Sequence, residues 1–276
     1  MKKLLSATVA LTVSALAISA VSAPALADDK VSLTTGFDYS TGKYGNTQST
    51  DILYVPVTAK YESDNLTLKL TVPYISVTGP GGVIQGFGRV PQPAGGTTGG
   101  VSRFGRPSGG TSSATSTNSG LGDVIASAGY TVYTGDALSV DAVGKVKFGT
   151  ADANKGLGTG RNDYSAELDG YYTLAPKSTL FVTAGYKIVG APAGVPTTNV
   201  PYGMLGFDQK TSEVSNAGVM YSQVNSVSPT IPDQKDVTFY VSKKYSPTLK
   251  IQANLLKGFS TSSPDLGVGL MVTDYF

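Results

Sequence analysis

Charged residues recur at every second position in two neighbouring stretches of the sequence. Asp141, Lys145 and Lys147 share one phase of the first stretch, and Glu167 and Asp169 share one phase of the second. Because side chains two residues apart lie on the same face of a β-strand, each set would project from one face of its strand. Opposite charges on the two strands could then meet. The pattern is compatible with a charged constriction that filters solutes and equally with ion pairs that only satisfy buried polar groups.

Residues suited to catalysis or metal binding are scarce. The sequence has no histidine and no cysteine, which removes the usual zinc and copper ligands and the commonest general base. The acids do not follow the spacing of a calcium loop. A carboxylate pair such as Asp141 and Glu167 is conceivable for acid–base chemistry, but nothing in its spacing requires it. We therefore predict that the protein is not an enzyme and that it has no catalytic residue, metal or cofactor.

The stretches that hold these charges belong to a series of twelve predicted strands, in which apolar and polar residues alternate. Their connections alternate regularly between a longer loop and a short turn, as in outer-membrane barrels, whereas a soluble β-sandwich has no reason to do so. We predict an all-β fold: a single closed antiparallel transmembrane β-barrel with short periplasmic turns and long extracellular loops. Pro56 and Pro73 each remove a ladder donor, so a local bulge is expected at both. The predicted strands are residues 31–39, 51–62, 66–78, 122–133, 137–148, 162–173, 178–190, 200–210, 213–225, 235–245, 248–259 and 265–276.

The last predicted strand carries Val268, Leu270 and Val272 in one phase and ends at Phe276. This pattern resembles the terminal strand that bacterial outer-membrane barrels present to their insertion machinery, although Asp274 departs from it. The resemblance implies that these four residues form an assembly signal. Closure of the barrel requires this strand to pair with residues 31–39, because lipid offers no partners to an open edge.

The first 27 residues have the charged, apolar and small-residue regions of a cleavable signal peptide, ending in Ala25-Leu26-Ala27. They hold two lysines and no acid, so cleavage would bring the formal charge from +2 to zero and leave no electrostatic case for nucleic-acid binding. We predict export to the outer membrane of a Gram-negative bacterium, with outer-membrane lipid and the barrel-insertion machinery as partners. The oligomeric state is left open.

Residues 79–121 are rich in Gly, Ser, Thr and Pro, and they include Arg89, Arg103 and Arg106 but no acid. Folded inward, this predicted extracellular loop would form a constriction that favours anionic solutes. The alternative is a disordered surface loop. Gly156-Leu157-Gly158-Thr159-Gly160 is followed by a strand rather than a helix, so we interpret it as a flexible loop tip and not as a nucleotide site.

Several short patches together resemble the outer-membrane barrels named for the meta-pathway of phenol degradation, a porin-like, transport-related family. The resemblance implies small aromatic or hydrophobic solutes and brings no catalytic residue with it. The patches are Ser119-Gly120-Leu121-Gly122-Asp123, Lys145–Thr150, Gly156–Gly160, Lys257-Gly258-Phe259, Ser263-Pro264-Asp265 and Gly267-Val268-Gly269.

We therefore predict an outer-membrane channel for passive diffusion of small solutes. The alternative is a non-conducting structural or partner-binding barrel. Whether the lumen of a twelve-stranded barrel is open or filled is not decided by strand number, since about eight strands fill with side chains and about sixteen leave a channel. The residues expected to face the lumen and contact solute are Lys60, Lys69, Asp141, Lys145, Lys147, Glu167, Asp169 and Lys250.

Overall fold

The structure is a computed structural model that describes residues 29–84, 88–89, 115–191, 197–228 and 231–276. The predicted signal peptide, Arg103 and Arg106 lie outside these ranges. Within them, no helix has the length and apolar character needed to cross a membrane.

Fifteen strands and one short 3-10 helix, Ala153–Lys155, are present in the described residues. The strands are β1 Lys30–Gly42, β2 Thr50–Ser63, β3 Leu66–Gly79, β4 Val83–Ile84, β5 Gly88–Arg89, β6 Ser116–Leu121, β7 Ile125–Thr134, β8 Leu138–Lys147, β9 Asp163–Ala175, β10 Ser178–Ile188, β11 Val200–Ser212, β12 Ser215–Val224, β13 Gln234–Lys244, β14 Leu249–Gly258 and β15 Leu266–Tyr275. Twelve of them, all except β4, β5 and β6, correspond to the predicted strands.

These twelve strands form a closed antiparallel barrel in which each strand pairs with its neighbours in chain order. The ring closes between β1 and β15, which pair continuously from Ser32 opposite Tyr275 to Thr41 opposite Leu266. Across this seam the Phe276 N–H donates to the Val31 carbonyl at 2.9 Å. The closure gives each of these twelve strands a neighbour on both sides, and it confirms the all-β barrel and the predicted pairing of first and last strands.

The two faces of the barrel wall have opposite polarity. In β14, Gln252 and Asn254 share the inward face, where Asn254 contacts Asp38 of β1, and the alternating residues Ile251 and Leu255 face outward. In β15, Val268, Leu270 and Val272 lie in the same outward phase as Leu266, which places the predicted assembly residues on the outer surface. Phe276 is exposed, and its role in assembly stays a prediction.

Exposed aromatic side chains ring the outer surface near both ends of the barrel, and exposed Leu and Val side chains lie between the two rings. The ring near the short turns contains Tyr130, Tyr133, Tyr172, Tyr245 and Phe276. The ring near the longer loops contains Tyr39, Tyr74, Phe148, Tyr164, Tyr186, Tyr221 and Phe259. Transmembrane barrels carry such aromatic girdles at the two edges of their apolar band.

The bulge expected at Pro56 is absent, because neither the β1–β2 nor the β2–β3 register shifts there. The bulge expected at Pro73 is present in the neighbouring segment, where three residues, 122–124, lie opposite Val72 and Pro73. The two prolines lie directly opposite each other in an unbroken β2–β3 register. Each proline lies at a position where the adjacent strand on its other side forms no ladder pair, so its missing N–H leaves no acceptor without a donor. Pro73 falls between the part of β3 that pairs with β7 and the part that pairs with β6, and Pro56 lies opposite a break in the β1–β2 ladder. The carbonyls of both still accept hydrogen bonds, from the Gly122 N–H and the Thr35 hydroxyl.

The range predicted as one long loop contains additional regular structure. Its last six residues form β6, which continues the wall by pairing with residues 74–79, the C-terminal part of β3. Close to β3, β4 and β5 form a short hairpin. Arg89 lies in β5, and the inward or outward placement of its side chain stays a prediction.

We expect Gly36→Val to prevent closure of the barrel. A β-carbon on Gly36 would overlap the Leu270 carbonyl oxygen and approach the Met271 Cα to 2.8 Å, so the β1–β15 seam must separate. The measurement is the heat-modifiable electrophoretic mobility of the refolded protein, in which the folded band should be lost.

The matched control is Gly144→Val, because a β-carbon there meets no atom of the described residues within 4 Å. This variant should keep its folded band. A normal folded band for Gly36→Val would contradict the close approach at the seam.

Candidate functional site: the lumen and its cavities

All eight predicted lumen residues face the interior of the barrel. Seven lie on the wall formed by β2, β3, β8 and β9, and Lys250 lies on β14, six strands away from β8 and therefore across the lumen. Lys60, Lys69, Asp141 and Asp169 line a cavity of about 220 Å³ towards the short turns. The structure thus places all eight side chains on the inner face of the barrel, while their contact with a solute stays a prediction.

Three carboxylates around β8 and β9 are bound by lysines. Lys145 forms an ion pair with Glu167, which is 5% exposed. The Lys147 Nζ lies 2.9 Å from the Asp123 Oδ2 and 3.1 Å from the Asp163 Oδ2. The opposite charges on the β8 and β9 stretches therefore do meet, and Lys145 and Glu167, whose pairing the sequence left open, are partners.

Asp141 and Glu167 are each held by other groups of the wall. Asp141 lies opposite Asp169 in the β8–β9 register, and its Oδ1 accepts from the Thr131 hydroxyl at 2.8 Å. Glu167 lies opposite Val143 and is bound by Lys145 and Tyr202. Both carboxylates thus hold the wall together. The described residues also contain no cluster of acids that could bind a metal ion.

Two tyrosines lie flat along the inner wall and connect strands that are not adjacent. The Tyr202 ring of β11 passes over Gly185 of β10, and its hydroxyl donates to the Glu167 Oε2 of β9 at 2.7 Å. The Tyr240 ring of β13 passes over Gly218 of β12 in the same way and donates to the Asp208 Oδ2 of β11 at 2.8 Å. Because the central residue is a glycine, each ring occupies the space of a missing side chain and does not extend towards the barrel axis.

A second cavity, of about 340 Å³, extends across the lumen closer to the longer loops. Residues from β2 round to β12 line it, so it is enclosed by most of the barrel circumference. Its lining residues are Tyr54, Pro73, Ile75, Gly122, Asp123, Ile125, Lys145, Lys147, Leu157, Asp163, Ser165, Lys187, Tyr202 and Val224.

The loop between β8 and β9 folds over this cavity. Its residue Leu157 is 3% exposed and belongs to a buried apolar cluster with Tyr44, Ile52, Ile75, Val77, Val83 and Ala151. The Asp123 Oδ1 anchors the loop by accepting from the Ala151 N–H at 2.9 Å. The interpretation of residues 156–160 as a flexible loop tip is therefore wrong, because Leu157 gains more from apolar burial than from solvent exposure.

Sequence reasoning missed several residues of the cavity. Lys187 lies in the inward phase of β10, where a period-two count from Thr183 and Gly185 would have found it. Asp163 lies in the same phase as Glu167 and Asp169. Asp123 ends one of the family-like patches, but its partners come from β8 and the following loop, and sequence distance gives no sign of them.

Comparisons with protein-family models and with curated protein sequences find no match. Solved structures do resemble the chain. The COG4313 outer membrane channel from Pseudomonas putida F1 aligns with a TM-score of 0.62 and 12% identity, over 94% of this chain and 100% of that one. The translocator domain of the autotransporter NalP from Neisseria meningitidis aligns with a TM-score of 0.50 and 10% identity, over 99% of this chain and 94% of that one. The chain therefore has the β-barrel fold of outer-membrane proteins.

We expect Lys145→Met to lower the free energy of unfolding by about 1–3 kcal/mol, because it leaves a nearly buried carboxylate with one hydrogen-bond partner fewer. The measurement is urea unfolding of the protein refolded in detergent. Lys155→Met is the control, since the 4.0 Å pair of Lys155 with Asp152 is largely exposed. Its effect should stay within about 0.5 kcal/mol, and equal losses in the two variants would show that the Lys145–Glu167 pair does not stabilise the wall.

Proposed function

We propose that the protein is an outer-membrane channel through which small solutes diffuse passively. The observation that carries this proposal is the inverted polarity of the closed wall, which is apolar outside and polar inside. A protein surrounded by water would bury the apolar face and expose the polar one. A barrel surrounded by lipid does the reverse and pairs all its backbone groups between strands.

The dimensions of the wall support placement in a membrane. The twelve barrel strands are 10 to 14 residues long, and about 9–11 residues suffice for one tilted strand to cross the apolar core. The two aromatic rings then lie at the two interfaces. With the short turns in the periplasm, the longer loops and the buried cluster around Leu157 lie at the extracellular mouth.

The cavity near the mouth supports small solutes with an aromatic or apolar body. Tyr54, Pro73, Ile75, Leu157 and Val224 supply an apolar part of its lining. A volume of about 340 Å³ is at the small end of the range that ligand pockets occupy. The solute class implied by the resemblance of the sequence patches agrees with this lining.

Conductance in a planar bilayer tests the channel, and we expect Gly218→Val to reduce it. A β-carbon at Gly218 would collide with the Tyr240 ring, which must leave the wall and turn towards the lumen. Single-channel conductance should fall about twofold or more, since the displaced ring narrows the pore. Gly144→Val is again the control and should conduct like the unchanged protein.

Absence of conductance in a folded, inserted protein would instead support the non-conducting alternative. The loop folded over the cavity, with Leu157 in a buried cluster, is the feature that would account for such a closed mouth.

The lipid-facing surface can be tested with two side chains of equal exposure. Leu255 in the middle of β14 is 47% exposed, and Val214 beside a short turn is 46% exposed. In phospholipid vesicles, Leu255→Lys should cost about 2–4 kcal/mol of unfolding free energy and Val214→Lys about 0–1 kcal/mol, because the cost of a charge depends on its depth. Equal effects in urea unfolding would contradict a bilayer centred on Leu255.

A further inference from the structure

The acids around the larger cavity already accept from donors of the protein. The Asp123 oxygens accept from Ala151 and Lys147, and the Asp163 oxygens accept from Gly190 and Lys147. The Glu167 oxygens accept from Lys145 and Tyr202. Each of the six carboxylate oxygens is therefore occupied by a donor of the protein itself.

The lysines, in contrast, retain unused donors. Lys187 lines the cavity, and among the described residues it forms no ion pair within 4 Å. The charges that act on it are Asp163, Lys147 and Lys145, so two of its three charged neighbours are cations. Lys145 is 37% exposed and has one ion-pair partner among the described residues, Glu167. An ammonium has three donors and no acceptor, so both lysines can still donate to an acceptor that enters the cavity.

The lining on either side of these lysines is of a different kind. Pro73, Ile75 and Leu157 come together at β3 and the folded loop, with Tyr54 next to them on β2, and Val224 lies on β12 beyond Lys187. The cavity thus combines spare cationic donors on β8 and β10 with apolar or aromatic surface on the strands to either side.

We propose that this cavity binds a small organic carboxylate, with Lys187 and Lys145 holding the carboxylate group and the apolar lining holding the hydrocarbon body. The inference rests on the proposed channel function for its role in transport and names the solute class. Ammonium–carboxylate hydrogen bonds are short and stronger than neutral ones, which would select the anion over an uncharged analogue of the same shape.

Benzoate is a suitable probe, with benzyl alcohol as its uncharged analogue. We expect saturation-transfer NMR on the refolded protein in detergent to show benzoate binding that benzyl alcohol does not displace at equal concentration. Lys187→Gln should weaken benzoate binding about tenfold or more, as expected for loss of a charged hydrogen bond. Lys187→Arg, which keeps the charge, should stay within about threefold.

Lys177→Gln is the matched control. It removes the same charge from the exposed turn between β9 and β10, it does not line this cavity, and it should leave benzoate binding unchanged. All variants should first show the folded, heat-modifiable band, so that lost binding is not lost structure. Equal weakening in Lys187→Gln and Lys177→Gln, or benzyl alcohol competing as well as benzoate, would overturn the inference.

A reversal-potential measurement in potassium benzoate and potassium chloride separates binding from transport. The permeability of benzoate relative to potassium should fall in Lys187→Gln and stay constant in Lys177→Gln. If the protein conducts and Lys187→Gln leaves its relative benzoate permeability unchanged, the proposed carboxylate site is overturned. Benzoate binding that depends on Lys187 in a protein that does not conduct would uphold the site and overturn the channel.

Discussion

The structure depends on the seam between β1 and β15. A β-sheet satisfies its backbone only where every strand has two neighbours, and the ten register pairs from Ser32–Tyr275 to Thr41–Leu266 supply the last of these neighbours. In a closed ring, successive side chains of each strand face the lumen and the outer surface in turn. Here the apolar phase is outside on every long strand, which leaves the charged and hydroxyl side chains to satisfy one another within a small volume.

The lumen meets that demand in two ways. Carboxylates on one wall are bound by lysines, hydroxyls and loop N–H groups, and these bonds join neighbouring parts of the wall. Where two strands are joined across a third, a glycine in the middle strand allows a tyrosine to lie flat. Together these arrangements leave two cavities in the lumen and give the larger one spare lysine donors, which are the basis of the proposed carboxylate site.

Sequence reasoning succeeds where the information is local. Alternation along a strand predicts its face, and the regular succession of loops and turns predicts twelve strands and their order. It fails where partners come from distant positions. The prolines looked like interruptions because their neighbours on both sides were unknown, and Pro73 is tolerated because β6, from within the predicted loop, shares the edge of β3 with β7. Lys187 carries no local sign that its nearest acid, Asp163, is already bound by Lys147 and Gly190.

The tyrosines that pass over glycines also bear on how such a barrel can change over evolutionary time. Gly185 with Tyr202, and Gly218 with Tyr240, each occupy one shared volume on the inner wall. A larger residue at either glycine is compatible with the fold only if its tyrosine becomes smaller, so the two positions of each pair must vary together. Among homologues we expect these pairs to covary, whereas the lumen charges could diverge with the solute that each barrel admits.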